Sequence, residues 1–363
     1  MGKKDEDGRL LIAAPLSLSG RYAFQGRLAA VGLAQAVKDV ARRGGVPHRD
    51  RRLVPEVAII DDESTRAGTR RALDKIARAD LLIGPYGSDL VGEAATWVGQ
   101  KGRVLWNHGG SADNVQRLPG VVSIASPAST YFPPILEALG QSLPQARVLL
   151  AVGRGSFPEE VAKGGREAAN RLGMDVITAA HGEVPGSPDS DVLLAAGTFA
   201  EDVALIGHLR QRPAAVGAVA AGIASFHVVL GASADGVLGP SQWEESARFV
   251  VDVGHGQMDV VRGLRAELAA RLQAALALGH VEYLTAQAYA TVLIAMQCVM
   301  EAEGTEDEVL LDTARRLRCT TFFGRFGLGE DGRQSDHDML VVQWQEGLKR
   351  VVWPRSQAED AIS

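Results

Sequence analysis

The sequence predicts an α/β protein of two doubly wound lobes, and three observations carry this. At 363 residues the chain exceeds the size at which one hydrophobic core usually stops growing, so two lobes are expected. Through residue 230, short apolar runs alternate with longer amphipathic stretches, the signature of βαβ units and a parallel sheet. The alternation restarts near residue 131, which gives two consecutive units of similar length. Two such lobes are expected to face each other, with the cleft between them as the default ligand site.

Residues 10–15 are the first expected strand. A helix follows over 25–43, with Leu28, Val31, Leu33, Ala34, Val37 and Val40 toward the core and Gly44-Gly45 closing it. Residues 54–60 form the next strand and run into Asp61-Asp62; Ser64 is read as the cap of a helix reaching residue 79. A strand at 81–83, a helix opened by Ser88 and strands at 103–106 and 121–125 complete the first unit. In the second, helices are expected at 131–140, 158–172, 199–210 and 225–230, and strands at 147–152, 175–180, 192–196 and 214–220. The last third breaks the pattern with helical stretches at 258–278, 281–303 and 306–318; the middle one carries an apolar face of Leu284, Ala288, Val292, Ala295 and Val299. After a turn cluster with Asp331-Gly332, two strand-like runs at 339–344 and 348–353 read as a closing hairpin rather than a third domain.

Composition narrows the class. Hydrophobic residues at 46% and charged ones at 23% argue against a fibrous, disordered or membrane-embedded chain. The Ala/Gly-rich stretch 214–232 carries Ser225 and His227 and reads as a strand entering a helix, not a membrane span. A net charge of -6 offers no basic footprint, so no nucleic-acid partner is expected. Cys298 and Cys319 lack the short pair spacing of a zinc site; they are read as reduced core residues, with one disulfide as the open alternative. The opening MGKKDEDGR is polar, so either the chain is cytoplasmic or a signal peptide has been removed and replaced by a start Met.

Catalytic and cofactor motifs are missing. Gly153-Arg154-Gly155 lacks the third glycine of the dinucleotide fingerprint, and no phosphate-binding loop, zinc helix or calcium loop is present. Asp61-Asp62-Glu63 and Asp189-Ser190-Asp191 have no companion His or Cys and read as solvated loop charge. His108-Gly109-Gly110-Ser111 could form an oxyanion turn, but its partner, a nucleophile elbow, fails at the last position of Gly231-Ala232-Ser233-Ala234-Asp235. The expectation is a non-enzyme with no cofactor and no metal site. Two strand-to-helix turns, Gly84-Pro85-Tyr86-Gly87-Ser88 and 107–113, do have the chemistry of anion recognition. The plainer alternative is that Ser88 and Ser111 only cap helices.

Taken in order, several segments resemble the type I periplasmic binding proteins, in particular the branched-chain amino acid and amide group. These are 14–20 with Gly26 opening a helix, 58–62, Leu82-Ile83-Gly84-Pro85 with Ser88, and 231–237. Ala288-Tyr289-Ala290, the stretch 321–332 and Val342-Gln343-Trp344 extend the resemblance over nearly the whole chain. It implies two Rossmann-like lobes joined by three crossovers and closing on a ligand like a hinge. Lobe one would take residues 9–126 and 256–322, and lobe two 127–255 and 323–363.

The resemblance also implies a site. Ser88, with Gly109, Gly110 and Ser111, would hold a ligand carboxylate, and Tyr22, Phe24 and Gln25 would form a wall. His108 would add specificity, as would Trp106, which packing explains equally well. Phe157 and Phe199 fall where relatives often place aromatics. The turn 221–225, entered by Ala221, lacks the carboxylate that amino-acid-binding relatives present to the ligand ammonium, and an uncompensated buried ammonium costs several kcal/mol. The implied function is a periplasmic solute-binding protein of an ABC transporter, its partners a permease and a small ligand: an amino acid, an amide, or an aromatic or aliphatic carboxylate. A ligand without an ammonium is favoured. A cytoplasmic ligand-sensing regulator on the same fold is the alternative.

Overall fold

The computed structural model describes residues 8–272 and 280–363. The chain divides into two compact units, Met1–Ala125 with Phe249–His337 and Ser126–Arg248 with Asp338–Ser363.

Unit 1 begins with β1 (Arg9–Leu16), α1 (Ala23–Arg42), β2 (Val46–His48), β3 (Arg51–Asp61), α2 (Arg66–Lys75), β4 (Leu81–Ile83), α3 (Ser88–Lys101), β5 (Leu105–Asn107), α4 (Asp113–Gln116) and β6 (Val121–Ser123). The sheet order is β2-β3-β1-β4-β5-β6. All pairings are parallel except the short β2–β3 hairpin. Ile12 stands beside both Val57 and Leu81, so β1 is central, and from Ile12 to Leu16 it is buried without alternation, as a parallel strand covered on both faces should be.

Unit 2 continues with α5 (Pro133–Leu139), β7 (Arg147–Val152), α6 (Ser156–Arg171), β8 (Asp175–Ala180), β9 (Val192–Ala196), α7 (Phe199–His208), β10 (Ala215–Ala218), α8 (Ser225–Leu230) and β11 (Val237–Ser241). The chain returns to unit 1 for α9 (Gln257–Arg271), α10 (Tyr283–Ala302), α11 (Asp307–Arg316), β12 (Cys319–Thr321) and β13 (Gly324–Phe326). It ends in unit 2 with β14 (Leu340–Gln345) and β15 (Leu348–Trp353). The second sheet runs β15-β14-β11-β10-β9-β7-β8, with the last two strands an antiparallel hairpin on a parallel core, so the expected closing hairpin is present. Its core gathers Phe132, Ile135, Leu136, Val148, Leu150, Leu194 and Val341, each side chain stabilising the unit by about 1.5–3 kcal/mol when fully buried.

The long apolar helix α10 is a core element. Of its most apolar window 83% is buried, and it lies so close to α1 that a β-carbon on Gly32 would stand 2.1 Å from the Thr285 carbonyl oxygen. Tyr289 donates from its hydroxyl to Asp39 at 3.0 Å, adding a polar tie across the same contact. Both cysteines are free and buried, the reduced alternative. The expected helix 258–278 is present as α9; its residues 273–278 lie outside the described residues.

Some expectations need correcting. Residues 249–255 and 323–337, assigned from sequence to lobe two, belong to unit 1. They are held there by the β12–β13 pairing, by Thr320 donating to Asp252 at 2.7 Å, and by Gln334 donating to the Ile124 carbonyl at 3.1 Å. Helix α2 is capped by Thr65, which accepts from Gly68 at 2.9 Å, not by Ser64, and it ends at Lys75. Strands β2, β11, β12 and β13 have no counterpart among the strands expected from sequence. Pro240 disguises β11, but the ladder with β10 involves only Val237 and Leu238, so the missing proline N–H costs that ladder nothing.

Candidate functional site

In unit 1, four turns meet at the carboxyl ends of β1, β3, β4 and β5, the end where open parallel sheets bind ligands. Asp61 organises the first turn. Its carboxylate accepts from the Leu18 N–H (2.9 Å), the Ser19 N–H (3.2 Å), the Ser19 hydroxyl (2.7 Å) and the Glu63 N–H (2.9 Å). Burial pushes its pKa up, but the Ser19 hydroxyl and the backbone donors together prevail and leave it below the usual carboxylate value. Asp62 is fully buried, accepts from the Ser17 hydroxyl at 2.7 Å and the Ser64 N–H at 2.8 Å, and has its pKa raised by burial. These two aspartates are therefore structural anchors rather than the solvated charge read from sequence. Among the described residues, no group of three or more His, Cys, Asp or Glu could hold a metal ion.

Tyr22 occupies the position before α1. Its N–H donates to the Ser64 hydroxyl oxygen at 3.0 Å, its hydroxyl donates to Asp89 at 3.2 Å, and its ring meets that of Tyr86 edge-on at 5.6 Å. Arg21 lies 4.6 Å from the ring centre and pairs with Asp89. Burial, followed by the Asp89 charge, pushes the Tyr22 phenol up to about 12. The ring can approach because residue 87 is glycine, at φ +96°; a β-carbon there would stand 2.8 Å from it. Phe24 and Gln25 are half-buried in the first turn of α1, and the Gln25 Oε1 is buried with no hydrogen-bond partner among the described residues.

Ser88 is not a cap. Gly87 holds the N-cap position of α3 without a side-chain bond, and Ser88 is the first helical residue. Its hydroxyl oxygen accepts the Ala112 N–H at 3.0 Å, while the Gly87 N–H donates to the Gly109 carbonyl at 3.0 Å. The two anion-type turns are thus tied together, and Ser88, Gly109, Gly110 and Ser111 form one cluster at the positive end of a 14-residue helix. Tyr22 joins it through Gly87.

Other members of the expected site behave differently. The N–H groups of Gly109 and Gly110 are already used: both donate to Oδ1 of Asn107, at 3.1 and 2.8 Å. His108 points inward, 0% exposed, with neither ring nitrogen in a well-formed hydrogen bond among the described residues. Burial, opposed by the Gly84 backbone, lowers its pKa to about 4, so it is neutral and sealed from solvent. Trp106 is likewise fully buried and fills space in the core. Asn107 itself was missed as a site residue, although an Asn two residues before a Gly-Gly pair is a recognisable signal for a side-chain-closed turn.

In unit 2, Phe157 lies in the first turn of α6 and packs edge-on against Tyr131 at 5.4 Å. Phe199 opens α7 behind a capping box in which Thr198 and Glu201 bond reciprocally. Both rings are half-exposed. Ala221 is 0% exposed, and its carbonyl accepts the Trp344 indole N–H at 2.9 Å; it lines no surface, because β14 covers it. The nearby carboxylates are committed as well. Asp202 is fully buried, 2.9 Å from His181 Nε2, and accepts the Ala220 N–H at 3.0 Å; burial raises its pKa against the bonds from His181 and Ala220. Glu244 accepts from the Ser241 hydroxyl at 2.7 Å and pairs with Lys349 at 2.8 Å.

This geometry can be set beside known proteins. The model of the periplasmic binding protein family matches residues 11–349. The chain belongs to that family. Its solved relatives of similar structure include the branched-chain amino acid transporter substrate binding protein LivJ from Streptococcus pneumoniae in complex with isoleucine. That protein is 17% identical with a TM-score of 0.76, over 95% of this chain and 100% of the other. A solute binding protein from R. palustris in complex with benzoate is 16% identical with a TM-score of 0.72, over 95% of each chain. One from Rhodopseudomonas palustris BisB5 in complex with 3,4-dihydroxy benzoic acid is 10% identical with a TM-score of 0.73, over 94% of this chain and 95% of that one. Among curated proteins none matches this sequence. The likeness establishes the type I periplasmic binding protein fold that the sequence motifs implied.

Proposed function

We propose that this periplasmic binding protein is the solute-binding component of an ABC transporter, and that its ligand is a small organic carboxylate without an ammonium group. One observation carries the ligand class: in both turns that the family resemblance assigns to the site, backbone carbonyls that could meet an ammonium already each accept a hydrogen bond from within the protein. The carbonyl of Gly109 accepts from Gly87 (3.0 Å), that of Gly110 from Asn107 (2.8 Å), that of Ala221 from Trp344 (2.9 Å) and that of Gly222 from Lys349 (3.0 Å). The buried carboxylates Asp202 and Glu244 are paired. The Ser88 hydroxyl, which uses its oxygen to accept from Ala112, keeps its hydrogen for donation at the α3 N-terminus, with Ser111 beside it, which suits an anion.

In this reading Ser88 and Ser111 hold the carboxylate, and Tyr22, Phe24 and Gln25 supply the wall beside it. Phe157 and Phe199, half-exposed residues that the family resemblance assigns to the ligand, favour an apolar or aromatic ligand body. Capture by lobe closure, a periplasmic location and delivery to a permease come with the family resemblance and form part of the proposal, as does the absence of catalysis.

A thermal-shift screen against benzoate, 4-hydroxybenzoate, aliphatic carboxylates, amides and isoleucine tests it. A ligand at about 100 times its dissociation constant adds roughly 2.7 kcal/mol of stability. Stabilisation by carboxylates and none by isoleucine is the expected result. A shift with isoleucine overturns the ligand class, and turnover of any bound compound overturns the non-enzymatic reading.

A further inference from the structure

We infer that Asn107 is the positioning residue that decides which groups of the β5 turn face the ligand. The inference rests on the carboxylate-binding reading above and deepens it. Asn107 ends β5 at 1% exposure, and the hydrogen-bonding capacity of its carboxamide is matched at both ends within unit 1. Oδ1 accepts the N–H groups of Gly109 (3.1 Å) and Gly110 (2.8 Å), while Nδ2 donates to the Gly110 carbonyl (2.8 Å) and the Ser123 hydroxyl (2.9 Å). The amide orientation follows from these partners, since backbone donors face the oxygen and a carbonyl faces the nitrogen.

The consequence is chemical. A glycine pair after a strand ordinarily offers its N–H groups to an anion; here a side chain has taken them. The donor presented at this turn is then the Ser88 hydroxyl, tied to it through the Ala112 bond, with Ser111 alongside. Gly110 also fits under Val91 so closely that a β-carbon would stand 2.7 Å from that side chain, so the turn has little room to rearrange. Asn107 thus holds the turn to which Ser88 is tied and keeps the Gly109 and Gly110 N–H groups from the anion. Its neutrality matters for the same reason: a negative charge in this turn would repel an anion held beside it.

The substitution Asn107→Asp keeps the shape and the two accepted N–H bonds while adding a proton-dependent charge. When ionised, the introduced carboxylate still accepts both glycine N–H groups, has no hydrogen to give the Gly110 carbonyl or the Ser123 hydroxyl, and repels an anion. Benzoate, an anion at about pH 8.5, is the probe, titrated calorimetrically at that pH with urea unfolding as the check that the variant is folded. The variant is expected to bind benzoate about tenfold or more weakly than the wild type. A folded variant with the wild-type affinity overturns the inference, because a role confined to folding leaves binding by the folded protein unchanged.

Amide hydrogen exchange in the ligand-free wild-type protein supplies a second readout. The Gly109 and Gly110 amides are expected to be protected and to stay so when benzoate is added. Free exchange, or protection gained only with benzoate, overturns the inference. If benzoate and the other carboxylates fail to bind the wild-type protein, the ligand class falls, and the exchange result alone then decides whether Asn107 holds the turn.

Discussion

Replacing Ser88 with alanine separates two contributions of one hydroxyl. In the ligand-free protein the Ser88 oxygen accepts the Ala112 N–H at 3.0 Å, and Ala112 is 0% exposed. Alanine therefore orphans a buried donor, which costs about 1–3 kcal/mol of stability. The oxygen's own hydrogen is the proposed donor to the ligand carboxylate, and a hydrogen bond to a charged group is worth about 1.5–3 kcal/mol, or roughly 10- to 150-fold in affinity. Urea unfolding without ligand measures the first quantity; calorimetric titration with benzoate well below the unfolding transition measures the second. Loss of stability with unchanged affinity would show that Ser88 only ties the turns together and would remove it from the site. Unchanged stability would show that the Ala112 bond contributes nothing, and the account of how the two turns are joined would fail.

Two further predictions follow from burial. His108 has a folded pKa of about 4 against an ordinary histidine value of 6.5, so the unfolded chain binds its proton first as pH falls. The stability it permits is complete above about pH 6.5 and is lost progressively toward pH 4, by up to about 3 kcal/mol. His108→Leu should flatten that part of the stability profile measured by urea unfolding, and an unaltered slope would refute the assignment. Burial pushes the Cys319 thiol up to about 12 and the Cys298 thiol higher still, so neither should react with a thiol reagent at about pH 8 in the native protein, and both should react after denaturation. Rapid native labelling of either would contradict the packing around α10 and β12.

The parts of the fold readable from sequence are those whose signal is local. Strands β7, β8, β9 and β15 fall where the apolar runs place them, because a run bounded by turn residues declares itself without reference to the rest of the chain. Strand β2 has three residues and contains Pro47; it exists through pairing with β3, which no local pattern encodes. Ser88 was readable as a polar residue at a helix start. Its job was not, since the choice between capping its own helix and accepting from Ala112 depends on Gly87 at φ +96° and on a second turn 24 residues away.

The same distinction explains the uneven reading of the candidate site. In unit 1 the donors and the residues that consume them lie close together in sequence: Asn107 closes on Gly109 and Gly110, two and three positions on. A short polar motif therefore contains both the offer and its withdrawal, and counting donors without counting their partners overstated the glycines. In unit 2 the acceptors of Ala221 and Gly222 are taken by Trp344 and Lys349, 123 and 127 positions away. From sequence that turn looked open and merely short of a carboxylate. The hairpin that closes the sheet supplies donors to its carbonyls, so the proposed preference for a ligand without an ammonium draws on tertiary hydrogen bonds as well as on a missing acidic residue. If the proposed ligand class holds, placing a carboxylate in the 221–225 turn alone should give at most weak amino-acid binding, because an ammonium there would have to share the Ala221 and Gly222 carbonyls with Trp344 and Lys349.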